Sequence, residues 1–364
     1  MDQPSFEESS ASTTGKVLSD ESVARILEVL RTTLTAELST QKLNACEDSV
    51  DLTIEGPWGM LVDESSVWKA RTRLSVELYA DMRGYFSDNV VREVLLAAAG
   101  VKLSRTCLSD AKLALLQIIA EKHDFVLVTS SERYLHGRDI GKGGASNSIQ
   151  RRAEPWEKKG LRNVYVASDA SVAVAGKMLE EAAVDEMFGM FLGIPACCRK
   201  AFTRFKSMAE AKQNDFIPFV LDSTSGLMPY DYWLNYPANY FGRCLISFFP
   251  CSFLCTAAAN IARATFEMLA ECHDAWAKSF LDLHQTNILY TEYDGLHLFR
   301  GKFVDGSIAY GPDDFISTEP TKVNSLLRRA DRLEVRGKHQ VVAYRELKPI
   351  GVIEGEDVAM CIFS

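Results

Sequence analysis

Apolar residues recur along this chain in several rhythms, and each change of rhythm marks a change of element. ESVARILEVLRTTLTAEL (21–38) places them at steps of three and four, which predicts a helix. DLTIEG (51–56) and RTRLSVELYA (71–80) alternate apolar with polar and predict strands. Helical spacing returns over 89–100 and 108–122. DFVLVTSS (124–131) and NVYVASDAS (163–171) are short apolar runs ending in small polar residues, and predict buried strands that lead into a helix or loop. That order implies a mixed, partly parallel sheet.

Residues 171–191 predict one long helix, with Ala175, Leu179, Ala182, Ala183, Met187 and Phe191 on its apolar face. Lys177, Glu180, Glu181 and Asp185 fall on the other face, which reads as a solvated surface. A second long helix is predicted from near Ser252, its stripe running through Leu254, Ala258, Ile261, Leu269, Cys272 and Trp276. Beyond Asn287 the period drops to two. Asp294-Gly295 and Asp305-Gly306 mark hairpin turns, and RLEVRGKHQVVAYRE and VAMCIFS extend the strand-rich end. The fold class is therefore α+β: a mixed sheet with long packing helices and a β-rich C-terminal part. The divisions expected are a disordered polar tail (1–20), an N-terminal α/β region (21–123), a core domain (124–286) and the β-rich region (287–364).

Composition narrows the function classes. With 364 residues, 47% hydrophobic and 24% charged, the chain can bury a substantial core. A net charge of −9 argues against general nucleic-acid binding, since phosphate recognition needs surplus Lys and Arg. The one basic run is Arg133–Lys159, within a Gly-rich segment (132–160) read as a long surface loop. Its GKGGAS stretch lacks phosphate-loop spacing. No apolar stretch is long enough to span a membrane, and the first twenty residues lack the apolar run of a secretory signal. Nine cysteines without an export signal point to a reducing compartment, the cytoplasm, and to free or metal-bound thiols.

Four of those cysteines are grouped. GIPACCRKAF sets Cys197 and Cys198 side by side, and FFPCSFLC sets Cys251 and Cys255 four apart. Pro195 suits the first position of a helix, which puts Cys197 near its third, and Ser252 suits a cap, which puts Cys255 at the third position of the next. Free backbone N–H groups and the positive end of a helix favour thiolates at such places. Cys197, Cys198, Cys251 and Cys255 are therefore the candidate metal ligands, their sulfurs expected to converge on one centre. Cys244 is the substitute should one point away; Cys46, Cys107, Cys272 and Cys361 read as packing residues. A C-C pair and a C-x-x-x-C pair fit a zinc knuckle poorly, so an iron–sulfur cluster is favoured over zinc. A redox or nucleophilic thiol without metal, and plain packing, are the alternatives.

The two motifs resemble the hallmarks G-x-P-x-C-C-x-x-x-F and P-C-x-x-x-C of a prokaryotic domain family of unknown function, the likeness extending over roughly 124–285. The resemblance implies a shared domain and conserved thiols, not an activity. That family often has a histidine two places before its P-C; here Phe248 and Phe249 occupy this stretch, so no histidine role is carried over.

Other candidates carry less. His136, His284 and His297 are scattered and read as core or surface histidines. Ser168 and Asp169 close a predicted strand, where ligand groups collect in α/β folds. PYDYWLNYPANYF (229–241) reads as an apolar lid or a core loop. Two functions are compatible with the sequence. One is an enzyme using the four-cysteine site for redox or Lewis-acid chemistry on a small molecule. The other is a non-catalytic protein in which a zinc ion staples two helix starts together.

Overall fold

The computed structural model describes residues 74–136, 149–154, 157, 160–212, 214–225 and 228–363, with backbone only at 136 and 149–152. The predicted helix at 21–38, the strand at 51–56, the tail, GKGGAS and Cys46 lie outside them. All described residues belong to the unit Leu52–Ser364.

The segment read as a strand over 71–80 is a helix, α1 (Val76–Met82). Ser75 accepts the Leu78 N–H at 3.1 Å and starts it, and Leu74, Leu78 and Met82 then face the core at helical spacing. The alternation misled because Val76 points to solvent. The next helices stand where expected, α2 (Asp88–Ala98) and α3 (Asp110–His123), separated by β1 (Ser104–Leu108).

β2 (Val126–Thr129) and β5 (Arg162–Ala167) match the two apolar runs, and between them β3 (Tyr134–His136) pairs with β4 (Ile149–Arg152). The segment 132–160 is therefore a hairpin rather than a structureless loop at its described ends. The order β1-β5-β2 is antiparallel throughout, not mixed. β1–α3–β2 does run as a crossover, but β5 inserts between its two strands and opposes both. Val164 and Val166 enter the main core while Tyr165 and Ala167 face a smaller cluster, as a period of two requires.

The expected long helix 171–191 is two: α4 (Ala170–Glu181) and α5 (Asp185–Phe191). Ala183 takes a left-handed φ of 55°, and Ala182 and Ala183 face solvent at the break. Glu180 is not a solvated carboxylate: it binds Arg105 at 2.8 Å and accepts from the Tyr165 hydroxyl at 2.6 Å. Then come α6 (Ala196–Ala211), α7 (Ile217–Asp222) and the 29-residue α8 (Thr256–His284), whose buried stripe is the spine of the main core.

The C-terminal part is antiparallel. β6 (Asn287–Thr291), β7 (Gly295–Phe299), β10 (Phe315–Ser317) and β14 (Val358–Cys361) form a sheet of order β10-β7-β6-β14. β8 (Phe303–Val304), β9 (Ser307–Ala309), β11 (Arg332–Gly337), β12 (Gln340–Arg345) and β13 (Lys348–Glu354) form a second, ordered β13-β12-β11-β9-β8. The first is apolar on both faces. Ala359 and Cys361 meet the main core with α8, while Met360 and Ile362 meet Leu333 and Val341 of the second sheet. Asp305-Gly306 forms the turn between β8 and β9, and Asp294-Gly295 closes the turn from β6 into β7, with Gly295 as the first residue of β7. The class is α+β, and no described helix is long and apolar enough to cross a membrane.

Candidate metal centre

Glycine and proline set the position of the first cysteine pair. Gly193 adopts φ +71°, its N–H donates to the Met190 carbonyl at 2.9 Å, and the Ile194 N–H donates to the Gly189 carbonyl at 3.0 Å. This is a Schellman ending for α5, a conformation that costs glycine little. Pro195 then caps α6 and its carbonyl accepts from Cys198 and Arg199, both at 2.9 Å. Cys197 and Cys198 are thus the second and third residues of α6, one step earlier than expected. α6 lies close against α5: a Cβ on Gly189 would stand 2.9 Å from the Arg199 side chain. Arg199 reaches Glu186 at 2.9 Å and the Ile194 carbonyl at 2.6 Å, fixing the turn that carries the thiols.

Aromatic anchors set the second pair. Phe248 and Phe253 are buried, and Phe249 stacks between Phe216 (4.7 Å between centroids) and Tyr236 (4.2 Å). The Phe253 N–H donates to Thr224 Oγ1 at 2.9 Å, and that hydroxyl donates to the Val220 carbonyl. Upstream, Ser247 accepts from Lys102 Nζ at 3.0 Å, within a buried ion triad in which Glu93 takes both Arg92 and Lys102. Cys255 itself, not Ser252, is the N-cap of α8; Ser252 closes the preceding turn through its carbonyl.

The four thiols meet as the motifs predict. Their sulfurs all lie within 4.8 Å of one another. Cys197 is 3.9 Å from Cys198 and 3.6 Å from Cys255, and Cys198 is 3.8 Å from Cys255. The Cys251 N–H points at Cys198 Sγ from 3.4 Å. Cys198 and Cys255 are buried, Cys251 is half-buried and Cys197 is exposed. The site opens to solvent on one side, at Cys197.

Packed this closely, the thiols hydrogen-bond one another. Hydrogen bonds from Cys197, Cys198 and Cys251 hold Cys255 far below an ordinary thiol, and those from Cys198 and Cys251 bring Cys197 down to about 7. Cys198 and Cys251 are pushed up, chiefly by their hydrogen bonds to Cys197. A metal ion removes that conflict, because every ligand thiol then binds as thiolate. Helix starts at both pairs add positive potential of the right sign.

The remaining candidates take structural places. Cys244 is fully buried, raised by burial to about 11, and is not in the group; Cys272 and Cys361 are buried in the core. Cys107 is half-buried, against the Asn163 side chain at 3.2 Å. His284 uses both ring nitrogens on backbone, at Tyr232 O and Leu245 N, each 2.9 Å away. His297 is buried against Ser317 at 2.9 Å, and that serine also donates to the Glu319 carbonyl, so it is not a free nucleophile. His136 lies in β3. Asp169 caps α4 by accepting the Ser171 N–H at 2.7 Å. The 229–241 segment is a core loop in two 3-10 turns, and Asn235 donates to the carbonyls of His284 and Thr286, at 3.0 Å each. Arg133, the described end of the basic run, pairs with Asp110. A narrow apolar groove lined by Phe202, Phe205, Phe216, Phe219 and Phe249 reaches Cys251.

The sequence reading missed Thr224 and Glu186, which position the four cysteines; neither carries a local signal that differs from any capping or surface residue. Comparison with known protein families, curated proteins and solved structures finds no match, so the chemistry of the centre is read from its own geometry.

Proposed function

We propose that the protein binds a single zinc ion through Cys197, Cys198, Cys251 and Cys255, and that the ion staples the start of α6 to the start of α8. The sulfur spacing carries this reading. Four thiolates at about 2.3 Å around one tetrahedral ion stand about 3.8 Å apart. Three of the pairs here are at 3.6, 3.8 and 3.9 Å, and all six lie within 4.8 Å. A cluster distributes its thiolates over more than one iron and needs a wider set of sulfurs. The spacing therefore favours zinc over the iron–sulfur cluster that the motifs alone suggested.

Four protein ligands close the coordination sphere, and a catalytic zinc keeps one position open. This supports the structural staple over Lewis-acid chemistry on a small molecule. Joining two chain segments with 52 residues between Cys198 and Cys251, the ion contributes its binding free energy to the fold. Metal analysis of protein purified from medium supplied with both metals tests it. One zinc per chain with no iron or acid-labile sulfide is expected; iron and sulfide in comparable amounts would refute it.

A further inference from the structure

Four ligands of one ion are ordinarily equivalent, but these four are not. Cys198 is buried and faces the Cys251 N–H from 3.4 Å, and Cys255 is buried at the N-cap of α8. Hydrogen bonds of this kind withdraw charge from a thiolate and blunt it as a nucleophile. Cys197 is exposed, and its Sγ lies against the sulfurs of Cys198 and Cys255. The Cys255 sulfur lies 3.6 Å from it. Cys198 is 3.9 Å away, but a bridge between adjacent residues is strained.

We propose that Cys197 is a peroxide-reactive ligand, and that its oxidation forms a Cys197–Cys255 disulfide and ejects the zinc. This rests on the zinc reading above. The Cys197 thiolate attacks one oxygen of a hydroperoxide; the S–O bond forms, the O–O bond breaks, and the distal oxygen leaves as hydroxide and is protonated by solvent. The Cys255 thiolate then attacks the sulfenic sulfur. The S–S bond forms, the S–O bond breaks, and the second hydroxide is protonated to water. Two electrons pass from the two thiolates to the peroxide. Only Cys198 and Cys251 remain to hold the ion, which dissociates. A staple between two helix starts is thereby exchanged for a covalent one, with the zinc as the released signal.

The test uses the wild-type protein, so no substitution can confuse it with misfolding. Zinc content is measured first, and protein isolated without zinc would refute the zinc reading independently of the oxidation step. Zinc-loaded protein is then titrated with hydrogen peroxide while a chromogenic chelator reports released zinc. Alkylation and peptide mapping follow at each point. About one zinc released per peroxide consumed is expected, with Cys197 oxidised at least about tenfold faster than the half-buried Cys107 and a Cys197–Cys255 bridge as the first product. First oxidation at Cys251 or Cys198, a bridge without Cys197, or retention of zinc under peroxide would each overturn the proposal.

Discussion

Replacing Cys198 by serine separates what the ion contributes to stability from what the side chain contributes by packing. Cys198 is 1% exposed, lies 3.8 Å from Cys255 and receives the Cys251 N–H. Serine is close in volume, so little cavity forms; it loses the soft ligand and leaves a poorly satisfied hydroxyl, costing about 1–3 kcal/mol. The zinc contribution adds to this. With free zinc at about a thousand times Kd, ligand linkage stabilises the folded chain by about 4 kcal/mol. For a unit of this size each kcal/mol moves Tm by about 2 °C, so removing the ion lowers Tm by about 8 °C. Thermal denaturation of parent and C198S, each with and without a strong chelator, gives the assay. The parent should lose about 8 °C on chelation, and C198S should start lower and not respond. A parent indifferent to the chelator, or a variant that responds equally, would refute the reasoning.

Two further predictions concern the scaffold around the centre. Glu93→Gln leaves the buried Arg92 and Lys102 without their counter-ion and should cost about 3–5 kcal/mol in urea denaturation; a loss under 1 kcal/mol would show that the triad is not charged as drawn. His284, fully buried and lowered by that burial to about 4, is neutral in the folded chain. Its contribution is complete above the unfolded value of about 6.5 and is lost as pH falls towards 4, about 3 kcal/mol in all. Zinc-free protein should show that loss in denaturation between pH 7 and 4, and His284→Gln should remove that part of the slope; an unchanged slope would contradict it.

The α+β class and most helix positions were legible because amphipathic periodicity is local. α2, α3 and the stripe of α8 were found that way. The errors arose where one position decided the outcome. Ser75 turned an alternating run into a helix, and the left-handed Ala183 broke one helix into two. The antiparallel sheet was hidden for a different reason: whether β5 lies beside or between its predecessors is a long-range pairing that no local pattern encodes. For the centre, the grouping of the four cysteines was readable from Gly-x-Pro and Pro-Cys at two helix starts. The distances between the sulfurs were not, because the C-C and C-x-x-x-C spacings constrain sequence and not three-dimensional separation. The supports at Arg199–Glu186 and Phe253–Thr224 depend on α5, α6 and α7 packing together, and so appear only in three dimensions.

X-ray absorption at the zinc edge of the purified protein addresses the centre most directly, since it reads ligand type, distance and neighbouring metals together. A mononuclear staple requires a single shell of four sulfurs at about 2.3 Å and no metal–metal scattering. A nitrogen or oxygen ligand in place of one sulfur, or a second metal within the shell, would contradict the assignment of Cys197, Cys198, Cys251 and Cys255 to one zinc ion.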